Sequence, residues 1–221
     1  MRKKTVEFRP RTPEFDIEPP KPASLYIPEW YKETKPVKNS ILTAKKCVPL
    51  IDSLSAGYMV TLAADVHWTA ESEQKYWTPS KVQVISAHHK IQTDQFELSG
   101  EFETQPYKWI NHFHIKTPKG YSMLVTHPLN RTDLPFYSFT GFVDTDKHPL
   151  IVNFPFVIKK GFSGVIPAGT PIAQCIPVKR DEWSSELKDP NIRHQHVDEF
   201  NVTTPPFGWY KRKYWVKKKY Q

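Results

Sequence analysis

Apolar and polar residues alternate with a period of two in several segments, most clearly in KVQVIS at 81–86 and WINHFHIK at 109–116. This period predicts half-buried β-strands, because successive side chains of a strand point to opposite faces. Short apolar runs bounded by turn residues predict further strands. The predicted strand segments are 45–51, 56–63, 66–68, 81–86, 109–116, 121–127, 135–146, 149–160 and 170–180.

The spacing of these segments predicts a mainly-β fold. Eight or so short strands between residues 41 and 180 are typical of a β-sandwich, a jelly roll or a small barrel. Helical patterns appear only late, at 181–188, 190–200 and 207–220. We therefore predict a single-domain β body with short helices and a basic aromatic tail, residues 181–221, packed on it. A chain of 221 residues is long enough for one substantial core.

Residues 1–40 contain seven prolines and predict a stiff, extended arm without helix. Trp30 and Tyr31 lie on this arm and are candidate binding residues, because aromatic side chains are good anchors. Two interpretations stay open: the arm packs on its own body, or it reaches a partner.

The net charge of +8 lies in the two ends of the chain. Residues 1–50 carry 11 basic and 6 acidic residues, and residues 207–221 carry 6 basic and none acidic. The middle of the chain has 14 basic against 17 acidic residues. This distribution argues against a body that is itself a nucleic-acid platform. It favours basic ends that lie on a mildly acidic body, either their own or a neighbour's.

The C-terminal tail, FGWYKRKYWVKKKYQ, interleaves aromatic residues with cations. This pattern suits a terminal helix docked on the body, a surface that docks another protein, or single-stranded nucleic-acid binding. The first interpretation is preferred and nucleic acid is not favoured. The candidate binding residues of the tail are Trp209, Tyr210, Lys211, Arg212, Lys213 and Trp215.

The two cysteines, Cys47 and Cys175, each lie in an apolar run and are predicted to be buried thiols. Their spacing matches no disulfide framework or metal site. The charged N-terminus lacks the apolar stretch of a signal peptide, and no run of about 18 apolar residues predicts a membrane span. We expect a protein of a reducing compartment, such as a host cytoplasm or a virion assembled there.

His112 and His114 form an H-x-H pair inside one predicted strand. Period two would place both imidazoles on one sheet face, as jelly-roll metalloenzymes do for two metal ligands. The alternative is a pair of ordinary strand histidines. The sequence contains no P-loop, no G-x-S-x-G and no H-E-x-x-H. No cofactor is predicted.

GFVDTD at 141–146 and GTPIAQ at 169–174 resemble two motifs of the trimeric dUTPases. The resemblance implies that Asp144 acts as a base toward the attacking water and that Gln174 contacts phosphate. Lys147 stands where the family has tyrosine, and the family's glycine-rich C-terminal motif is missing.

A second resemblance covers residues 20–220. The segments PKPA, KKCVPLIDSLSAGYMVTL, KTPKGYS, HPLNR and a final YWVKKKYQ are similar to an uncharacterised family of large tailed bacteriophages, notably of marine bacteria, with related bacterial domains of unknown function. This resemblance implies a phage gene product and a β-rich fold. It implies no activity.

Together these observations predict a phage-encoded, non-enzymatic binding or assembly protein, either a minor virion component or an accessory factor. Its expected partners are copies of itself or other phage or host proteins. The alternatives are a dUTPase-like nucleotide-binding protein or hydrolase and a cupin-like metal-dependent enzyme. Enzymatic activity is left open, with the non-enzymatic interpretation preferred.

Overall fold

The computed structural model describes residues 4–11, 13–35, 43–92, 98, 100–148, 150–188 and 209–221. Within these ranges the chain forms fourteen strands and three short α-helices. The strands are β1 (Glu7–Pro10), β2 (Lys21–Pro22), β3 (Tyr58–Thr61), β4 (Val66–Trp68), β5 (Tyr76–Trp77), β6 (Ile85–Ala87), β7 (Tyr107–Trp109), β8 (Phe113–Lys116), β9 (Tyr121–Thr126), β10 (Phe136–Ser138), β11 (Gly141–Val143), β12 (Phe154–Ile158), β13 (Gly164–Ile166) and β14 (Pro171–Lys179). The helices are α1 (Glu29–Glu33), α2 (Val48–Ser55) and α3 (Trp209–Lys213).

The strands form four antiparallel sheets with the orders β1-β8, β10-β12-β7-β6, β11-β9-β14-β3-β2 and β13-β4-β5. The predicted mainly-β sandwich is confirmed, and the sheets do not close into one barrel. Side chains from all four sheets meet in one core cluster. At its centre the rings of Trp109 and Phe156 stack with centroids 3.8 Å apart, and Phe136 packs edge-on against Trp109.

β14 is the central strand of the five-stranded sheet, and the candidate functional site lies at its C-terminal end. Its first half pairs with β3 and its second half with β9. Gly57, just before β3, lies close to β14 at φ +67°, and a Cβ there would stand 2.1 Å from the carbonyl oxygen of Cys175. Only glycine fits this close approach of two backbones.

The segment 45–51 was predicted as a strand, and this prediction is wrong. Residues 44–46 form a 3-10 turn, and α2 begins at Val48. Pro49 lies in the first turn of α2, where a missing N–H costs no helical hydrogen bond. Ser53 and Ser55 donate their hydroxyls to carbonyls of the preceding turn, and Val48 and Leu54 are buried.

Residues 1–40 are not uniformly extended where the structure describes them. β1 pairs with β8, β2 pairs with β3, and α1 begins directly after Pro28. The expectation that the prolines exclude helix is therefore wrong for α1, because proline is tolerated at the start of a helix.

Two predicted helices near the C-terminus also differ from the structure. Residues 181–188 form neither helix nor strand and are exposed. The helix predicted at 207–220 is shortened to α3, and residues 214–221 contain no further helix. The helix predicted at 190–200 lies outside the described residues. Among the described helices, none combines the length and the apolarity needed to cross a bilayer.

Candidate functional site

A connected group of polar side chains lies where β11 and β14 end and β9 begins. We call Ser122, Asp144, Asp146 and Arg180 the Arg180 cluster. The β9–β11 register brings Asp144 beside Ser122, whose hydroxyl donates to Asp144 Oδ1 at 2.6 Å. Arg180 follows β14 and donates Nη1 to Asp144 Oδ1 at 3.0 Å and to Asp146 Oδ1 at 2.9 Å. Its Nη2 donates to Asp146 Oδ2.

Asp146 is the anchor of this cluster. Its side chain is only 3% exposed, and its Oδ2 also accepts the backbone N–H of Gly120 at 2.9 Å. These contacts, led by the Arg180 hydrogen bond, lower the pKa of Asp146 to about 2. Thr145, between the two aspartates, joins Thr117 through their hydroxyls at 2.7 Å. The turn at 144–148 is therefore held from two sides.

Asp144, the candidate base of the dUTPase resemblance, is more exposed but not free. The hydrogen bond from Ser122 is the main cause of its lowered pKa, and Arg180 lowers it further. A general base works best when its pKa is near the operating pH. In this arrangement Asp144 is a weak base and a good ion-pair partner.

Gln174, the candidate phosphate contact, is fully buried. Its Oε1 accepts the N–H of Leu129 at 2.8 Å, and its Nε2 donates to the carbonyls of Ser53 and Ala56 at 2.9 and 2.6 Å. Its amide therefore links the end of α2 to the loop after β9. Nothing in this geometry presents the amide to a ligand.

The structure does not bring Asp144 and Gln174 together. Ser122, which contacts Asp144, is opposite Val178 in β14. Val178 lies four residues beyond Gln174, which is about 13 Å along a strand. The two motifs belong to β11 and β14 of one sheet, which β9 separates, and they lie at different positions along it.

His112 and His114 do not share a sheet face, contrary to the prediction. His112 is buried and precedes β8, whereas His114 lies in β8 and is exposed. The buried side chain of Asn111 causes the difference, because it bonds to Phe113 N, Phe113 O and Val152 O and interrupts the strand alternation. Burial, with a smaller contribution from Arg11, lowers the pKa of His112.

A metal centre finds no support in the described ranges of the chain, where no group of three or more His, Cys, Asp or Glu side chains converges. His127, on the loop after β9, uses both ring nitrogens within the fold. Its Nδ1 accepts the N–H of Ser138 at 3.3 Å, and its Nε2 donates to the carbonyl of Arg131 at 3.0 Å.

The C-terminal tail lies on the chain's own body. Trp215 donates its indole N–H to Asp52 of α2 at 2.9 Å, and Lys218 pairs with the same carboxylate. The ring of Tyr220 packs edge-on against Tyr58 with centroids 6.1 Å apart. The remaining candidate residues of the tail are exposed where their side chains are described, namely Tyr210, Lys211, Arg212 and Lys213. The side chain of Trp209 lies outside the described residues.

The two aromatic candidates of the N-terminal region differ in exposure. Tyr31 is buried in α1, and Trp30 beside it is partly exposed. Their rings pack edge-on with centroids 5.7 Å apart. Tyr31 therefore belongs to the fold of the chain, and only Trp30 presents aromatic surface to solvent.

Cys47 and Cys175 have opposite environments. Cys175 is completely buried, and burial raises the pKa of its thiol to about 12. Cys47 is exposed just before α2, so the prediction of two buried thiols is wrong for this residue. Val48, the next residue in sequence, is buried at the start of α2, whereas the thiol of Cys47 stays outside.

Sequence reasoning missed Arg180, Ser122 and Asp146 as one unit. Arg180 directly follows β14, whose sequence is mainly apolar, and lies 36 residues after Asp144. The one local indication of this cluster was the acidic pair Asp144 and Asp146 after β11. Two partly buried carboxylates need a cation nearby, but the sequence did not show which residue supplies it.

No family model matches the chain, and no curated protein does. Among solved structures, a mutant dUTPase from phage phi11 of S. aureus is similar over 85% of this chain and 97% of that chain. The sequence identity is 15% and the TM-score is 0.34. This TM-score is too low to establish a shared fold or function.

Proposed function

We propose that this chain is a non-enzymatic binding and assembly protein whose copies associate through residues 181–188. The observation that carries the proposal is the exposure of this segment. All eight residues, DEWSSELK, are exposed and belong to no helix or strand. Trp183 is 88% exposed, and Leu187 is fully exposed.

A solvent-exposed tryptophan and a solvent-exposed leucine on one short segment indicate a docking element. Burial of a large apolar side chain contributes about 2 kcal/mol, and tryptophan dominates many protein interfaces. Eight extended residues span about 26 Å, which is long enough to cross a neighbouring subunit. The segment leaves β14 directly after Arg180, so the Arg180 cluster fixes its starting point.

A second copy of the chain is the occupant that the charges favour. The segment carries Asp181, Glu182 and Glu186 against one lysine, whereas the whole chain has a net charge of +8. Opposite charges on the two surfaces steer association and fix its register. Trp215 and Lys218 of the basic tail already bind Asp52 of their own chain, whereas Trp183 and Leu187 are almost fully exposed.

The enzymatic alternatives have less support. The buried amide of Gln174 is occupied by backbone groups, Asp144 is ion-paired, and His112 and His114 face different environments. Within the non-enzymatic proposal, the phage-like motif order KTPKGYS and HPLNR supports a bacteriophage origin. A minor virion component or an accessory factor in the host cytoplasm is the corresponding role.

Native mass spectrometry over a range of protein concentrations tests the proposal. The wild-type chain is expected to form a defined oligomer, and the variant Trp183→Ala/Leu187→Ala is expected to be a monomer with an unchanged melting temperature. The matched control is Leu25→Ala/Ile91→Ala, which removes two other exposed apolar side chains and is expected to keep the oligomer. A monomeric wild-type chain, or an oligomer unaffected by the Trp183 variant, contradicts the proposal.

A further inference from the structure

A cavity of about 340 Å³ lies between the outer face of β8 and the turn after β11. Cationic and titratable side chains dominate its wall. We call Arg9, His114, Lys116, Lys147 and His148 the basic pocket. Its volume is in the range of small-molecule sites, which is about 300–1,000 Å³.

The register of β1 and β8 places three of these residues on one face. Arg9 is opposite His114, and Lys116 lies two residues further along β8 on the same side. Alternation along β8 buries Phe113 and Ile115 and leaves His114 and Lys116 exposed. The Cβ atoms of Arg9, His114 and Lys116 therefore lie within about 8 Å of one another.

The nearby carboxylates pair with Arg9 and Arg180 rather than with the two lysines of the pocket. Glu7 is opposite Lys116 but pairs with Arg9. Asp146, at the edge of the pocket, is held by Arg180 and by the N–H of Gly120. Lys147 contributes only the smallest of the effects that lower the pKa of Asp146.

Among the described residues, the side chains of Lys116, Lys147, His114 and His148 form no hydrogen bond or salt bridge. Adjacent unpaired cations repel one another, so an anion between them removes an unfavourable interaction.

Hydrogen bonds hold the turn that carries Lys147 and His148. The backbone N–H groups of both residues donate to the carbonyl of Asp144, at 2.9 and 2.8 Å. The Arg180 cluster and the Thr145–Thr117 hydrogen bond hold the same turn from the other side. A pocket that is already ordered loses little entropy when it binds.

We infer that the basic pocket binds a small, multiply charged anion, namely the phosphate groups of a phosphorylated small molecule. The two lysines supply point charges, and Arg9, whose Nη2 pairs with Glu7, adds its remaining N–H donors; this is chemistry that recognises phosphate oxygens. The exposed side chain of Leu150, which also lines the cavity, suits the non-phosphate part of such a ligand. This site is independent of the segment 181–188 and goes beyond the assembly role.

Titration of the full chain with pyrophosphate at low salt, followed by ¹H–¹⁵N NMR, tests the inference. Saturable shifts are expected at the backbone amides of 114–116 and 145–148. The variant Lys116→Gln/Lys147→Gln is expected to weaken binding by about tenfold or more, as the loss of two charge-assisted contacts implies.

The matched control is Lys81→Gln/Lys160→Gln, which removes the same charge from exposed lysines outside the pocket and is expected to change the affinity by less than about twofold. Equal weakening in both variants indicates a non-specific charge effect and overturns the inference. The absence of saturable shifts in the wild-type chain overturns it as well.

Discussion

The indole N–H of Trp215 donates to the carboxylate of Asp52, 163 residues earlier in the chain, at 2.9 Å. Lys218 pairs with the same carboxylate. One acidic residue of α2 therefore holds both an aromatic and a cationic residue of the C-terminal tail. The mixture of aromatic residues and cations, which resembles a nucleic-acid-binding pattern, is used at these two positions to attach the tail to its own body.

Replacing Asp52 with alanine is expected to lower the free energy of unfolding by about 1 kcal/mol, because two charge-assisted contacts at a partly exposed site are lost. Urea unfolding measures this change, and limited proteolysis should cut the tail of the variant faster. Lys217→Ala, at an exposed neighbouring position, is the control and is expected to change little. If the Asp52→Ala variant is as stable as the wild-type chain, the attachment of the tail through Asp52 is contradicted.

The Arg180 cluster predicts a defined pH dependence. The pKa of Asp146 falls from its ordinary value of 3.8 to about 2 in the fold. The ionised carboxylate therefore stabilises the fold fully above pH 3.8, and this contribution is lost as the pH falls toward 2.

Asp146→Asn is expected to be less stable than the wild-type chain at neutral pH, and the difference should shrink through this acidic window. Unfolding curves at a series of pH values measure it. Asp16→Asn, which removes an exposed carboxylate outside the Arg180 cluster, is the matched control. A difference that stays constant down to pH 2 would falsify the role of the Arg180 pair.

The buried side chain of Gln174 is expected to contribute to the free energy of unfolding, because it binds three backbone groups. Gln174→Met keeps the volume but leaves the N–H of Leu129 and the carbonyls of Ser53 and Ala56 without their partner, at a cost of about 3 kcal/mol. Chemical denaturation measures the loss. Lys179→Gln, at the exposed end of the same strand, is the control and is expected to stay within about 0.5 kcal/mol of wild type. A stable Gln174→Met that loses nucleotide binding would instead support the dUTPase-like alternative.

The two thiols are expected to react very differently. An alkylating reagent at neutral pH should modify the exposed Cys47 and leave the buried Cys175 unmodified, because burial raises its thiol pKa to about 12. Intact-mass measurement should show one adduct on the folded chain and two after denaturation. Two adducts on the folded chain contradict the burial of Cys175.

The strand content was predictable because alternation is a local property of the chain. The segment 121–127 became β9, and 170–180 became β14. The run 45–51 was not predictable in the same way, since a short apolar run fits a buried strand or a helix equally well. The interruption at Asn111 was also hidden, because its side chain bonds to Val152, which is distant in sequence.

Within the candidate site, the sequence identified Asp144 but not Arg180, its ion-pair partner. Asp144 meets Arg180 only because β11, β9 and β14 lie side by side in a fixed register. The basic pocket arises in the same way, from the pairing of β1 with β8 and the position of the turn at 144–148. Neither contact has a signature in the local sequence.

The sequence by itself determined the fold class, the uneven charge of the chain and the chemistry available at its ends, since these follow from composition and from periods of a few residues. The tertiary structure alone decided which carboxylates are neutralised, which cations stay unpaired and which aromatic residues remain in water. The physical reason is that ion pairing and burial act over a few ångströms in space, between residues that the sheet register brings together from distant parts of the chain.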